Sequence, residues 1–387
     1  MAYVAVTGGQ EAITRAEKLT NYYRLKEAKA ELTIDLIEKQ MRLLVDRVMS
    51  EGGMYAPEYA ALALKQAEGD PAEAAFLIRA YRSTLPRNHY SCTIDPSNMR
   101  VIRRISSSFR DIPGGQLLGP TTDYTHRLLK FSLKDETASE IRKFVEDYLG
   151  ETFAETEDGT EAEFTFRKVA DLLREQGLIK ASGAAEEIEP FDITREKLSF
   201  PASRSARLQT LARGETGAMT ALAYSSMRGY GAVHPTIGEL RVGYVKVYIP
   251  NPLCGDGEGD DKLYIGEVLV TEVETINSFT QNQESGQIQF LLGYGLCFGQ
   301  NELKGIAMAI LERSLETSGT APAQDEEFVL LHIDSVESAG FVSHLKLPHY
   351  ITFQSSLDRI RETKTRFENK TGEEESADAA KLQSSGV

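Results

Sequence analysis

Three segments between Arg241 and Phe298 decide the fold: RVGYVKVYI at 241–249, LYIGEVLVTEVETI at 263–276 and QIQFLLGYGLCF at 287–298. Each has an apolar period of two, the spacing that sends successive side chains to opposite faces of a strand, and each is rich in β-branched and aromatic residues. The turn-rich stretches NPLCGDGEGDD and SFTQNQESG separate them, so the three read as antiparallel strands.

On either side of this block the period changes. After the strand-like YVAVT, residues from Gly8 to about Leu85 repeat at helical spacing. Thr33 is placed to cap a helix whose apolar stripe is Ile37, Met41, Leu44, Val45 and Val48, and Gly52-Gly53 ends it. Pro57 opens a second helix that Gly69 closes, and Pro71 opens a third carrying Phe76, Leu77, Ile78 and Tyr81. C-terminal to the strand block, Asn301 is placed to cap ELKGIAMAILERSLE, and EFVLLHI reads as a further strand. The expected class is α+β: a helical N-terminal region followed by an antiparallel, sheet-rich C-terminal region.

The expected organisation has four parts. Residues 1–130 form a helical region that ends in a Gly/Pro/Thr loop, after a short β-like stretch from Arg100. Residues 131–200 form a variable segment, acidic and weakly patterned at 133–163, with a short amphipathic helix FRKVADLLREQG and the linker ASGAAEEIEP. Residues 201–365 form an α+β region, and residues 366–387 a polar tail without regular structure.

Composition limits function. The 387 residues are enough to bury a core without metal staples, and 41% hydrophobic with 26% charged residues is ordinary globular usage. No apolar run approaches a membrane span and the N-terminus lacks a secretory pattern, so a soluble, cytoplasmic protein is expected. Asp plus Glu outnumber Lys plus Arg by 58 to 43, for a formal charge of −15, which disfavours nucleic acid but leaves room for a local arginine pocket for phosphate. Cys92, Cys254 and Cys297 are far apart and suggest reduced thiols rather than disulfides or a zinc knuckle.

Four stretches carry chemistry-bearing residues. In DIPGGQLLGPTTDYTHR, 111–127, Gly114 and Gly115 allow a close approach of backbone to ligand. Gln116 and Thr121 add polar groups, and Asp111, Asp123 and His126 suit ribose binding and proton transfer. The loop is not a P-loop, since no Gly-Lys-Ser/Thr follows, and a tight turn is the alternative. Arg204, Arg207 and Arg213, and Arg228 beside Tyr230, are phosphate grips or surface ion pairs. In PAQDEEFVLLH, 322–332, Asp325, Glu326 and Glu327 offer an acid or only a solvated turn, with Glu326 the candidate taken.

The fourth stretch is FVSHLKLPHY, 341–350. A five-residue step separates two side chains by about 140° on a helix, and on a strand puts them on opposite faces, so regular structure would part His344 from His349. Pro348 favours a turn that brings them together. His-x4-His lies within the spacing of paired zinc ligands, but two ligands do not complete a site, and packing in a loop stands beside the metal reading. His332 is the nearest third histidine.

DIPGGQLLGPTTDYTHRLL, ALALKQAEGDPAEAAFLIRAYRSTL, ALAYSSMRGYG, PAQDEEFVL and AGFVSHLKLPHY, in this order, closely resemble the PhnI family, the nucleosidase-like subunit of the bacterial carbon–phosphorus lyase core complex. The resemblance runs from YVAV to about Phe353 and weakens over 131–200, around the 251–262 turn and in the tail. It implies a subunit of ribose 1-methylphosphonate 5-triphosphate synthase in phosphonate metabolism, a transferase that replaces the adenine of ATP by an alkylphosphonate at ribose C1. Alone, such a subunit would act as a purine nucleosidase. The resemblance also implies a homodimer within a hetero-oligomer with PhnG, PhnH, PhnJ and an ATPase-like PhnL. It further implies a zinc-type metal shared with PhnJ, for which His344 and His349 are the ligands from this side. The alternative role is a scaffold that lends metal ligands to the lyase subunit.

Overall fold

A computed structural model describes residues 9–155, 166–179, 189–230, 234–253, 261–281 and 286–384. The YVAVT segment, nearly all of the ASGAAEEIEP linker and Cys254 fall outside the described residues. The chain divides into two compact units, one spanning Tyr23–Val336 and the other made of the two ends, Met1–Tyr22 and Glu337–Val387.

The N-terminal helices are α1 (Gln10–Leu25), α2 (Ile34–Gln40), α3 (Arg42–Gly52), α4 (Pro57–Gln66) and α5 (Pro71–Thr84). Their punctuation follows the sequence. The Leu36 amide donates to Thr33 Oγ1 at the start of α2, the Ala72 and Glu73 amides donate to Asp70 at the start of α5, and Gly53 ends α3 in the left-handed conformation. One helix was expected from Thr33 to Gly52, but the chain breaks at Met41. The break lets Ile37 of α2 and Val45, Val48 and Met49 of α3 all pack into one cluster with α4 and α5.

The sheet follows the strand reading. Strands β1 (Arg100–Ile105), β2 (Thr236–Pro250), β3 (Lys262–Gln281) and β4 (Ile288–Phe298) form a four-stranded antiparallel sheet in sequence order. Before β2 lie α6 (Ala138–Glu155), α7 (Val169–Glu175), α8 (Arg204–Arg213) and α9 (Thr216–Met227). After β4, α10 (Glu302–Leu315) lies directly against the sheet. A Cβ on Gly293 would stand 2.0 Å from the Ala309 carbonyl and one on Gly295 2.3 Å from that of Gly305, so these glycines allow the contact. The other side of α10 meets α8, α9 and α11 (Glu326–His332) in the largest apolar cluster.

Three expectations are corrected. EFVLLHI is the helix α11, because Asp325 caps it and Val329, Leu330 and Ile333 are all buried on one side, a helical spacing. The weakly patterned acidic stretch contains the 18-residue α6. Beyond α12 (Ser335–Ser343), the helix α13 (Tyr350–Ser384) continues through the expected tail, whose Glu, Ala, Lys and Gln are good helix formers. No helix among the described residues is long and apolar enough to cross a membrane.

Candidate functional site

The glycine loop is built on two adjacent arginines. Arg103 and Arg104 of β1 are both fully buried and serve opposite faces of the sheet. The loop doubles back on β1 through reciprocal amide–carbonyl bonds between Arg104 and Leu117, 2.7 and 2.8 Å. Arg104 Nη1 donates to the Pro113 carbonyl at 2.5 Å, and Arg103 Nη1 to that of Leu118 at 2.5 Å. Arg103 also pairs with Asp123 and with Glu302 at the start of α10. One guanidinium thus holds the first half of the loop and the other its second half.

The predicted residues in this loop divide. Gly114 and Gly115 have φ of 80° and 76°, and a Cβ on Gly114 would overlap the Phe166 ring at 2.1 Å, so Gly114 serves close packing. Gln116 is a staple: its Oε1 accepts from the Ser106 amide, and its Nε2 donates to the Phe109 and Arg110 carbonyls. Thr121 Oγ1 accepts from the Asp123 amide. Asp123 is engaged by Arg103 and Arg127. Asp111 and His126 stand exposed at either end of the loop.

Beneath this loop lies a charged layer that the sequence reading missed. Arg104 Nε donates to Glu239 Oε1 at 2.5 Å, and the other Glu239 oxygen accepts from the Val169 amide at 3.1 Å. Next to them Glu272 receives Arg241 Nε at 3.0 Å, Lys168 Nζ at 2.6 Å and the Tyr294 hydroxyl at 3.1 Å. Glu274 takes Lys168 Nζ at 3.4 Å. Three carboxylates thus face three cations. The register explains the cluster, since Arg104 opposes Arg241, Arg241 opposes Glu272, and Glu274 lies between Glu239 and Tyr294. The signal was present as two carboxylates at a period of two in TEVETI.

The carboxylates are not equivalent. Burial disfavours ionised Glu272, but Arg241 and Lys168 outweigh it and its pKa is lowered. Glu274 is raised, because burial is joined by the nearby Glu272 and Glu239 and only partly offset by Lys168. Its Oε2 is buried without a hydrogen-bond partner. Within this layer Glu274 is therefore the more readily protonated of the two carboxylates.

Other candidates are placed elsewhere. Asp325 is the cap of α11, and Glu326 accepts from the Ala202 amide at 3.0 Å and pairs with Arg207 at 3.4 Å. Arg204 pairs with Glu312 at 2.8 Å, so these α8 arginines form ion pairs with the acidic segments. Arg228 is exposed at the end of α9.

The two histidines do come together. His344 opens a 3-10 turn after α12 and His349 precedes α13, with Pro348 between, and the ring centroids are 5.3 Å apart. His344 Nδ1 bonds the Phe341 carbonyl, and His349 Nδ1 bonds that of Leu347 at 2.6 Å. A carbonyl only accepts, so each Nδ1 is the donor, and in the neutral ring that leaves the lone pair on Nε2. Around them Phe341, Val342, Leu345, Tyr350, Ile351 and Phe353 are exposed, Ile351 at 89%. Among the described residues no group of three or more His, Cys, Asp or Glu is placed to hold a metal.

Residues 2–367 match the family model described as bacterial phosphonate metabolism protein, PhnI. The chain is 50% identical over 373 residues to a Stutzerimonas stutzeri protein named as a C-P lyase subunit protein, HtxH, covering 94% of this chain and 96% of that one. It is 44% identical over 366 residues to a Rhizobium meliloti protein named alpha-D-ribose 1-methylphosphonate 5-triphosphate synthase subunit PhnI, covering 93% and 94% of the two chains. It is 47% identical over 368 residues to the Escherichia coli protein of the same name, covering 93% and 97%.

Proposed function

This chain belongs to the PhnI family of bacterial phosphonate metabolism proteins, and from that premise we propose that it acts as a subunit of ribose 1-methylphosphonate 5-triphosphate synthase. The reaction replaces the adenine of ATP by an alkylphosphonate at ribose C1, within a complex of PhnG, PhnH, PhnJ and PhnL-like subunits in which this chain pairs with a second copy. With water in place of phosphonate, the chain alone would release the base. One observation carries the reading: identity of 44–47% over more than nine-tenths of two chains that bear the synthase name.

The chemistry makes two demands. Breaking the bond from C1 to the base builds positive charge on the ribose and needs a proton for the leaving base. Asp111 and His126, exposed on a loop clamped from below, are free to meet a ribose and its base, whereas Asp123 positions the loop through Arg103. Glu326, already held by an amide and an arginine, is the weaker acid candidate.

The histidine pair fits a zinc-type metal as half of its ligand set, because both Nε2 atoms are available and both rings are oriented by backbone carbonyls. Bound there, such an ion would supply a positive centre for a phosphate or phosphonate oxygen. The exposed apolar residues around the histidines favour a partner subunit that covers them and brings the remaining ligands. This feature also supports the scaffold reading.

The test is purified chain incubated with ATP, alone and with the partner subunits and methylphosphonate. Release of adenine by the chain alone and formation of ribose 1-methylphosphonate 5-triphosphate by the assembly are expected. An assembly that forms but turns over no ATP leaves only the scaffold.

A further inference from the structure

From Thr122 to Glu151 every residue is exposed, although the stretch carries Leu128, Leu129, Phe131 and Leu133 before it runs into α6. On that helix Ile141, Phe144, Val145, Tyr148 and Leu149 fall at i, i+3, i+4, i+7 and i+8, a single apolar stripe open to solvent along its length. A helix of 18 residues draws most of its stability from packing such a stripe, yet each side chain from Ala138 to Glu151 is exposed. An apolar surface of this extent, rimmed by charge, is a docking face.

The charges indicate what covers it. Within α6 the basic Arg142 and Lys143 precede the acidic Glu146, Asp147 and Glu151, while Glu140 is taken up by the Thr137 amide and hydroxyl at 2.8 and 2.7 Å. Acids outnumber bases on the helix, which disfavours an anionic lipid surface. Arg142 and Glu146 lie one turn apart on the same flank of the stripe, and among the described residues they form no ion pair with each other. When two such helices pair antiparallel across a two-fold axis near Val145, each flank faces its own copy. Arg142 then meets Glu146 of the second copy, and Glu146 meets that copy's Arg142.

A second set of charges agrees. Lys130 and Lys134, at the 3-10 turn Phe131–Asp135 that leads into α6, have no ion-pair partner among the described residues, and neither has Glu151. They stand toward opposite ends of a helix about 27 Å long and cannot meet within one chain. Antiparallel pairing brings the approach of one copy to the acidic end of the other, twice, and sets each helix's positive end beside a negative one.

We propose that residues 128–151 form the surface on which two copies of this chain pair, their α6 helices antiparallel about a two-fold axis. The inference rests on the pairing with a second copy proposed above and gives that pairing a surface. The surface starts two residues after His126, so the second copy lies beside the 111–127 loop.

Sedimentation equilibrium of the full chain tests it. The wild type should be a dimer, and Phe144→Glu with Tyr148→Glu should be a monomer at the same concentration. Arg142→Glu and Glu146→Arg should each dissociate more readily than wild type, and an equal mixture of the two should pair again, because both contacts across the axis return only between unlike chains. No recovery on mixing would confine these charges to their own helix and overturn the antiparallel arrangement. The charge variants also decide the matter should the double glutamate variant fail to fold by circular dichroism. A dimer that persists in every variant keeps the pairing and overturns this surface, whereas a wild-type chain that stays single, alone and in the assembly, overturns both. Variants that remain dimeric but lose another subunit from the assembly give the surface to that subunit instead.

Discussion

Arg104 and Glu239 are hydrogen-bonded at 2.5 Å with both side chains almost fully buried, and the same guanidinium reaches the Pro113 carbonyl of the glycine loop. The loop that carries Asp111 and His126 is therefore tied to the sheet by a charge inside the molecule. Removing one member of a buried pair strands the other, at a cost of about 3–5 kcal/mol. Glu239→Gln should lower the unfolding free energy measured in urea by an amount of that order and open the 111–127 loop to limited proteolysis. Arg104→Met with Glu239→Leu together should cost less than the sum of the single changes. Additive effects would mean that the pair is not coupled.

Asp123 and Asp111 should part company when each is changed to Asn. Asp123 faces the buried Arg103, so Asp123→Asn leaves that guanidinium with Glu302 and should lower both stability and base release. Asp111 is exposed, so Asp111→Asn should leave the melting midpoint within a degree or two while reducing adenine release. Full activity in a folded Asp123→Asn protein would remove that residue from the mechanism.

Lys304 gives a pH signature. Burial lowers its pKa from the ordinary 10.5 to about 8. The folded state therefore binds this proton less readily than the unfolded chain. Stability is lost as pH falls from 10.5 toward 8, and the penalty is constant below that, on the order of 3 kcal/mol at its full extent. Lys304→Met removes the titration, so its stability relative to wild type should be greatest at pH 7 and shrink toward pH 10. Parallel curves for the two proteins across pH 7–10 would show that Lys304 is not held at a lowered pKa.

What was legible in the sequence was what local rules govern. The period of two from Arg241 to Phe298 yields three of the four strands, and Thr33, Gly53, Pro57 and Pro71 mark helix ends because capping and proline geometry act within a few residues. Asp325 shows the limit: it caps α11, yet an apolar run of seven residues reads equally well as a strand until Val329, Leu330 and Ile333 have a core to face. The charged layer was out of reach for another reason. Glu239, Glu272 and Lys168 are far apart in the chain and meet only through strand register and the start of α7. The loop glycines fit a ligand or a tight turn equally in the sequence, and Gly114 lies against Phe166, since close approach by a side chain and by a phosphate ask the same of a residue.

The histidine pair yields the last prediction, because the metal proposed for it would find only two ligands among the described residues of this chain. Each Nδ1 is tied to its own backbone, so the Nε2 atoms are presented by local geometry alone, and exposed apolar side chains surround them. On the proposed metal reading, a partner would both cover the patch and complete the coordination. The isolated chain should hold metal weakly, and the assembly should retain it through gel filtration, as read by elemental analysis. His349→Ala should abolish retention in the assembly while adenine release by the isolated chain stays largely intact. His349→Gln, which keeps a polar side chain but no imidazole, should behave like the alanine variant. Loss of both metal and adenine release would assign the metal to this subunit's own reaction, and retention of metal in His349→Ala would remove that histidine from the ligand set.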